Sequence, residues 1–319
     1  MEPLVVALGR GNAEHLDLVR QAAEGAGRAV RFLLFGDPAE FAAALAEAEV
    51  LYGGLDAAEV DRAPRLRWVH APSAGVDRYP LQALAERGIV LTNARGVYDE
   101  AMAEHALALL LALTRRIPEA VRAQAERRWV RTDPEVLAGQ RLGVLGFGSI
   151  GRAVAARARA FGMEIWAFRA RPRPDPLADR VLGPGREDLY TLLRACPAVV
   201  AVLPSTPATR GLLDARAFAA MPPGARLVNL GRGDLVVEAD LVDALRTGHL
   251  AGAALDTPPR DPLPPDSPLW GLPQVLITPH VGGFRPGNAA RGMAVFAENV
   301  ARYCRGEPLL HVVDLAAGY

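Results

Sequence analysis

The chain has 319 residues, 50% of them hydrophobic, which is enough for a large core and is typical of two domains rather than one. The chain has 36 arginines and no lysine, which balance 36 acidic residues, so it carries no net charge that would favour binding to nucleic acid or an anionic membrane. Two distant cysteines, Cys196 and Cys304, indicate neither a disulfide framework nor a metal site. The apolar run from Leu4 to Leu8 is interpreted as a strand and not a signal peptide, so we expect a cytoplasmic protein without a membrane or nucleic-acid partner.

Short apolar runs alternate with helical Ala/Glu/Arg patterns through the first third of the chain, with helices expected near Leu16 to Glu24 and Ala39 to Ala46. Such alternation is typical of a parallel α/β sheet. A helix from Glu100 to Thr114 is apolar on most faces, which suggests burial between domains or subunits. The strands predicted before this helix are Leu4 to Leu8, Ala29 to Leu34, Val50 to Tyr52, Trp68 to His70 and Val90 to Thr92.

A second α/β pattern follows and closes with a helix from Ala289 to Tyr303. The Pro-rich segment Thr257 to Pro268 is predicted to be irregular because six of its residues lack a backbone donor. The strands predicted in this part are Arg141 to Leu145, Glu164 to Phe168, Ala198 to Leu203, Ala225 to Asn229, Gly252 to Leu255 and Val275 to Thr278.

A glycine-rich turn, Gly146-Phe147-Gly148-Ser149-Ile150-Gly151, lies between a predicted strand and the helix from Arg152 to Phe161. The first glycine allows a tight turn, the second lets the backbone approach a pyrophosphate, and the third lets the helix pack on the strand. Free amides at the helix start then favour the phosphates. A GxGxxG pattern alone is weak evidence, but this context predicts a dinucleotide site.

The next strand ends in Arg169, with Arg171 and Arg173 close behind and no acidic residue before Asp175. NAD-binding folds usually carry an acid at this point to accept from the ribose hydroxyls, whereas an arginine can pair with a 2′-phosphate. With no carboxylate nearby in sequence to repel a phosphate, the pattern favours NADP(H). The alternative is that these arginines are ordinary surface residues and that the protein uses both NAD(H) and NADP(H).

Six ordered motifs resemble those of the D-isomer specific 2-hydroxyacid dehydrogenase family, which includes glyoxylate/hydroxypyruvate reductases, D-lactate dehydrogenases and phosphoglycerate dehydrogenase. Each motif is modest alone, but together they are specific and extend over nearly the whole chain. They are Ser73 to Asp77, Leu142 to Gly151, Leu203-Pro204 with Thr209 to Gly211, Val228 to Gly233, Ala254 to Asp256 and Thr278 to His280.

The resemblance implies an active site of one Arg, one Glu and one His. The Arg corresponds to Arg232 and the His to His280. The family's Glu usually precedes Pro-Leu-Pro, but here Asp261 precedes that tripeptide, which keeps the charge and shortens the reach by one methylene. Simpler readings stay open: a turn arginine, a structural histidine, and a loop acid at Asp261, in which case Asp266 is another nearby carboxylate although it falls after the motif.

The chemistry of 2-keto acid reduction explains these residue types. Hydride goes to the keto carbon and a proton goes to its oxygen, and a proton donor that titrates near neutrality favours His. A carboxylate beside that His would stabilise the imidazolium. An arginine can bind the substrate carboxylate and polarise the carbonyl.

The resemblance also implies that the backbone amides of Ala74 and Gly75 hold the substrate carboxylate, that Tyr98 faces the substrate, and that Asp256 contacts the nicotinamide amide. Trp129 lies in a region that some relatives use for dimer contacts; it would reach the partner's site or pack at the interface. Cofactor contacts are expected at Gly146, Gly148, Ser149, Ile150, Gly151, Arg169, Arg171, Leu203, Pro204, Thr209, Leu230, Gly231, Arg232, Asp256, His280, Gly282 and Gly283.

The remaining histidines match no catalytic position and are interpreted as structural or exposed, although His70 directly precedes the substrate loop. They are His15, His70, His105, His249 and His311.

We therefore predict two Rossmann-like, doubly wound parallel-sheet domains, with a cofactor domain of residues 93–283 inserted into a substrate domain of residues 1–92 and 284–319. The catalytic residues would lie in the cleft between them, no metal is expected, and the assembly would be a homodimer formed through the cofactor domain. Two other functions remain open. One is a formate or phosphite oxidoreductase, although a formate enzyme is expected to carry Gln beside its His; the other is a non-catalytic NAD(P)-sensing binding protein.

Overall fold

The computed structural model describes residues 2–319 and divides them into two compact units. The first unit comprises residues up to Tyr98 together with Arg285–Tyr319, and the second comprises Asp99–Phe284. The boundaries fall after Tyr98 and Phe284, six residues and one residue later than the sequence analysis placed them. Within residues 2–319, no helix combines the length and the apolar character needed to cross a membrane.

The first unit is built on a five-stranded parallel sheet of order β2-β1-β3-β4-β5. Apolar side chains pack on both of its faces, with the last helix of the chain, α11, packed against α1. Its elements are β1 Leu4–Gly9, α1 Leu16–Gly25, β2 Val30–Phe35, α2 Pro38–Glu47, β3 Val50–Tyr52, α3 Ala57–Asp61, β4 Trp68–Ala71, α4 Leu81–Glu86, β5 Val90–Asn93 and α11 Asn288–Arg305.

His70, at the end of β4, is fully buried in the core of this unit. Its ring stacks on Tyr52, and its Nδ1 lies 2.8 Å from the hydroxyl of Thr92, which also accepts from Trp68 Nε1 at 2.8 Å. Burial, with a smaller contribution from the charge of His311, lowers the pKa of His70 to about 3. The ring is therefore neutral and part of the packing, as predicted for a structural histidine.

The second unit is built on a seven-stranded parallel sheet of order β12-β11-β10-β9-β6-β7-β8. Helices cover both faces, so each unit has the doubly wound α/β architecture that the sequence predicted. The elements are α5 Asp99–Thr114, α6 Ile117–Ala125, β6 Arg141–Leu145, α7 Ser149–Ala160, β7 Glu164–Phe168, β8 Arg180–Leu182, α8 Arg186–Ala195, β9 Ala198–Ala201, α9 Ala215–Ala220, β10 Ala225–Asn229, α10 Glu238–Arg246, β11 Leu250–Leu255 and β12 Val275–Ile277.

The long apolar helix α5 packs its buried residues inside the second unit, against α7, β10 and β11. The Pro-rich segment contains no strand or α-helix, as predicted, and ends in a 3-10 turn at Pro268–Gly271.

Candidate active site

The predicted site residues of the second unit follow the carboxyl ends of six adjacent parallel strands. The carboxyl ends of parallel strands lie at one edge of a sheet, and the strand order reverses between β9 and β6, where open α/β sheets bind ligands. The glycine turn follows β6, Arg169 follows β7, Leu203 follows β9, Arg232 follows β10, Asp256 and Asp261 follow β11, and His280 follows β12.

The turn between β6 and α7 has the shape that a pyrophosphate requires. A Cβ on Gly151 would lie 2.1 Å from the carbonyl oxygen of Gly146, so only glycine lets α7 pack this closely. Gly146 has a φ of +100°, and a Cβ there would lie 2.9 Å from the backbone of Val202. At Gly148, by contrast, a Cβ would meet nothing within 4 Å, which leaves open space over the α7 amides, and no side chain caps this helix. These residues fit a dinucleotide, with Ser149 and Ile150 beginning the helix.

The structure corrects one step of the reasoning on Arg169: a carboxylate does lie near it. Asp175 is buried and forms an ion pair with Arg152 in the first turn of α7. Its Oδ2 also lies 3.8 Å from Arg169 Nη1. That nitrogen is itself buried without a hydrogen-bond partner, and burial, followed by the charge of Arg173, lowers the pKa of Arg169.

The segment that carries Asp175 connects β7 to β8 and is held at both ends. The amide of Arg169 donates to Leu182 O at 3.2 Å. At the other end the amide of Asp179 donates to Ile165 O at 2.8 Å, and the carboxylate of Asp179 accepts from the amide of Ile165 at 2.7 Å. Residues 170–178 therefore form a loop whose two ends, at Arg169 and Asp179, are fixed by hydrogen bonds.

The loop after β9 is shaped by its own side chains. The hydroxyl of Thr209 donates to Pro204 O at 2.7 Å and accepts from the amide of Thr206 at 2.8 Å. Leu203 is buried, and its carbonyl oxygen would lie 2.6 Å from a Cβ on Gly231. The loop after β9 thus packs directly against the loop that carries Arg232.

Arg232 is positioned through the buried side chain of Asn229 at the end of β10. Asn229 Nδ2 donates to Arg232 O at 3.1 Å and to Thr257 O at 3.0 Å, and its Oδ1 accepts from the amide of Gly231 at 3.1 Å. A Cβ on Gly233 would lie 1.8 Å from Pro258 O. Asn229 therefore joins the Arg232 loop to the start of the Pro-rich segment through hydrogen bonds. The motif alone did not indicate this role.

Asp261 and His280 form a direct pair. The Oδ2 atom of Asp261 lies 2.6 Å from Nδ1 of His280, so the shorter acid reaches the imidazole. Both side chains are partly exposed, at 37% and 48%. With Nδ1 facing the carboxylate, the opposite ring nitrogen, Nε2, is the one available to a substrate. Asp266 has no place in this pair.

The backbone of His280 has a φ of +54°, in the left-handed region that costs a non-glycine residue about 1–2 kcal/mol. Asp256 braces it: the Asp256 carbonyl accepts from the amide of His280 at 3.0 Å, and its carboxylate accepts from the amides of Val281 and Gly282, both at 2.9 Å. A Cβ on Gly282 would lie 2.7 Å from that carboxylate.

The Asp256 carboxylate has two further partners that link it to α5. The hydroxyl of Thr278 donates to it at 2.6 Å, and His105 Nε2 lies 3.4 Å from the same oxygen and 3.0 Å from Thr278 Oγ1. Burial raises the pKa of Asp256, but the bonds from His105, Thr278 and the two amides outweigh burial and lower it to about 2. The sequence analysis missed His105 because its partners lie far away in sequence.

Two of the predicted substrate residues of the first unit, Ala74 and Gly75, lie on the loop after β4, and Tyr98 follows β5. Asn93 Nδ2 donates to Ala74 O at 2.8 Å, and the hydroxyl of Ser73 donates to Gly75 O at 2.7 Å. The hydroxyl of Tyr98 donates to Pro72 O at 2.6 Å. The structure thus brings Ala74, Gly75 and Tyr98 together, with the Tyr98 hydroxyl supporting the loop.

Trp129 is 94% exposed in the segment between α6 and β6. Glu135 anchors the end of this segment through a bidentate pair with buried Arg226, at 2.9 and 2.6 Å. The exposed apolar side chains of this region are Ile117, Val121, Trp129, Val130 and Val136.

Comparison with known proteins identifies similar chains and one matching family model. Residues 107–282 match the family model for the D-isomer specific 2-hydroxyacid dehydrogenase, NAD binding domain. A D-3-phosphoglycerate dehydrogenase of Mycobacterium bovis is 36% identical over 91% of this chain, but the chain spans only 55% of that relative. A glyoxylate reductase of Korarchaeum cryptofilum is 36% identical over 79% of this chain and 77% of its own length.

Among solved structures, a D-isomer specific 2-hydroxyacid dehydrogenase from Xanthobacter autotrophicus Py2, in complex with NADPH and MES, is similar over the full length of both chains. The TM-score is 0.84 and the sequence identity is 31%.

Proposed function

We propose that this chain, which belongs to the D-isomer specific 2-hydroxyacid dehydrogenase family, transfers hydride between NAD(P)H and a small 2-keto acid to form the D-2-hydroxy acid. The observation that carries this proposal is the pair of His280 and Asp261, 2.6 Å apart at the sheet edge that also holds the glycine turn and Arg232. A proton donor, an anion-binding group and a dinucleotide turn on one edge match the needs of the reaction.

A bound nicotinamide dinucleotide supplies the hydride. In the proposed reaction, His280 gives the proton from Nε2 to the keto oxygen, and Asp261 on Nδ1 orients the ring and stabilises its protonated form. Arg232 binds the substrate carboxylate and polarises the carbonyl with its fixed charge. In the first unit, the loop of Ala74 and Gly75, supported by Tyr98, offers its backbone amides as the proposed donors to a carboxylate.

The experiment is a steady-state screen of glyoxylate, hydroxypyruvate, pyruvate and 3-phosphohydroxypyruvate against NADPH and NADH. We expect turnover with the small 2-keto acids, and His280→Ala should reduce it by about 10²–10⁴-fold, the usual contribution of a general acid. Formate or phosphite oxidation in place of keto acid reduction would indicate the related oxidoreductases. Cofactor binding without turnover of any substrate would indicate a sensor and refute the proposal.

Glyoxylate and hydroxypyruvate are the proposed substrates because the Korarchaeum glyoxylate reductase matches this chain over most of both lengths. The phosphoglycerate dehydrogenase relatives are nearly twice as long as the matched region, so their activity is the less favoured alternative. A higher kcat/KM for 3-phosphohydroxypyruvate than for either small acid would reverse this order.

We also propose a preference for NADP(H), based on the unpartnered Nη1 of Arg169, which a 2′-phosphate oxygen would satisfy. Asp175 opposes this preference because its carboxylate lies 3.8 Å from that nitrogen. Arg169→Ser should lower the ratio of kcat/KM for NADPH to that for NADH, and Asp175→Asn should raise it. Ratios equal to wild type in both variants would show that this cluster does not contact the 2′-phosphate.

The exposed apolar side chains around Trp129 support a homodimer formed through the second unit, because such a patch is usually covered by a partner. Trp129→Glu should shift the mass measured by light scattering from dimer to monomer, whereas the same change at Trp270, an exposed residue outside the patch, should leave the dimer intact. A wild-type monomer would refute this assembly.

A further inference from the structure

The left-handed backbone of His280 depends on a hydrogen-bonded network that reaches α5. Three consecutive amides, those of His280, Val281 and Gly282, donate to the carbonyl or carboxylate of Asp256. Asp256 is 1% exposed, so its carboxylate lies out of reach of bulk solvent. The conformation of the His280 loop therefore depends on where this buried carboxylate is held.

The orientation of hydrogens in the network follows from its distances. Thr278 Oγ1 has a single hydrogen, which it donates to Asp256 Oδ1 at 2.6 Å. The same oxygen lies 3.0 Å from His105 Nε2, so it accepts there, and His105 Nε2 must carry a hydrogen. That hydrogen is shared with Asp256 Oδ1, 3.4 Å from the same nitrogen.

Steric contact adds to the hydrogen bonds. A Cβ on Gly282 would lie 3.1 Å from His105 Cδ2 and 2.7 Å from Asp256 Oδ2, so the imidazole of His105 packs directly over the backbone that follows His280. His105 thus fixes Thr278, Asp256 and Gly282 at once, although it lies on a helix that is remote in sequence.

We propose that His105 is a positioning residue that keeps the imidazole of His280 aimed at Asp261 by holding the Asp256 carboxylate and the Thr278 hydroxyl in place. This inference rests on the proposed role of His280 as proton donor. His105 itself need not touch the substrate or the dinucleotide, and its effect is transmitted through the His280 backbone.

The test compares His105→Leu, which removes the donor, with His105→Gln, whose amide can place a donor near the original Nε2. Glu104→Gln, a change at an exposed neighbour on α5, is the matched control. We expect kcat to fall about 10–100-fold in His105→Leu, with the dissociation constant for NADPH within threefold of wild type. His105→Gln should recover most of the loss and the control should lose nothing. Parallel losses of kcat and NADPH affinity, or no rescue by Gln, would overturn the proposal.

A double-mutant cycle shows whether His105 acts through His280. Adding His105→Leu to His280→Ala should cost less than about twofold in kcat, because the group being positioned is already gone. A loss as large as that in the wild-type background would show an independent role and refute the proposal.

An NMR measurement that does not depend on turnover tests the positioning role of His105 separately from the proposed reaction. The ring ¹H–¹³C signal of His280, assigned with His280→Ala, should move in His105→Leu and Thr278→Val but not in Glu104→Gln. A wild type without keto acid reductase activity refutes the proposed function, whereas an unmoved His280 signal refutes the positioning role.

Discussion

Acidification should destabilise the first unit through one residue, His70. The ring is fully buried, and its only polar contact among the hydrogen bonds described is Nδ1 with Thr92, while its Nε2 is buried without a partner. Protonation would place a charge at that site, so burial lowers the pKa to about 3 from the ordinary 6.5. The perturbation is a change of pH, compared between wild type and His70→Asn, which cannot titrate.

The sign and size of the effect follow from proton linkage. Below pH 6.5 the unfolded chain binds a proton at His70 that the folded state does not bind, so the free energy of unfolding falls as the pH falls towards 3. Between about pH 7.5 and pH 5 the loss is about 2 kcal/mol, and over the whole window it approaches about 5 kcal/mol. The value near pH 5 is insensitive to the folded pKa, since the folded ring is still almost entirely neutral there.

The assay is urea unfolding followed by the fluorescence of Trp68, which lies beside His70, in a background where the other three tryptophans are Phe. His70→Asn should unfold more easily at pH 7.5 but lack about 2 kcal/mol of the wild-type pH dependence. Thr92→Val should lose stability at both pH values and keep the dependence, because the ring stays buried. Equal dependence in wild type and His70→Asn would refute the reasoning.

Three further predictions concern the second unit. Gly148→Ala should keep the wild-type melting temperature but weaken NADPH binding about tenfold or more in a fluorescence titration. Gly151→Ala should lower the free energy of unfolding by about 2–4 kcal/mol, because its Cβ would lie 2.1 Å from a carbonyl oxygen. Equal stability of the two variants would contradict this prediction. Asp261→Asn should lower kcat about 100-fold and Asp261→Glu less, since charge matters more than reach; the reverse order would show that geometry dominates. Glu135→Gln should lower the free energy of unfolding by about 1–3 kcal/mol in thermal melts, because Arg226 is left buried without its carboxylate, and an unchanged melt would show that the pair contributes nothing.

Every strand of the two sheets except β8 could be predicted, because parallel strands buried on two faces are continuous apolar runs. Ala225–Asn229 is buried at every position and was predicted with its observed bounds. No strand was predicted between Phe168 and Ala198, where β8 has only three residues and begins with an exposed arginine. This edge strand is too short and has too few apolar residues for its sequence to indicate a strand.

The placement of the candidate site residues at strand ends could also be predicted, since the glycine turn and the segments carrying Arg232 and His280 are each contiguous. Contacts that join distant segments could not. No acidic residue follows Arg169 in sequence before Asp175, but the connection folds back, pairs Asp175 with Arg152 and brings its carboxylate within 3.8 Å of Arg169. His105 matches no catalytic position of the family, and sequence spacing does not reveal that α5 packs against β11 and that His105 reaches Thr278.

The connection between β7 and β8 has a consequence for redesign. Its two ends are held by main-chain hydrogen bonds to β7 and β8, and Leu177 and Ala178 within it pack against the core of the second unit. Arg171, Arg173 and Asp175 lie between those two ends, whereas Arg169 is the residue at the first end. An exchange limited to residues 170–176 would therefore change the charge of this loop, while the contacts at its two ends and those of Leu177 and Ala178 keep β7 and β8 in register, and the proposed proton donor lies at the other end of the sheet.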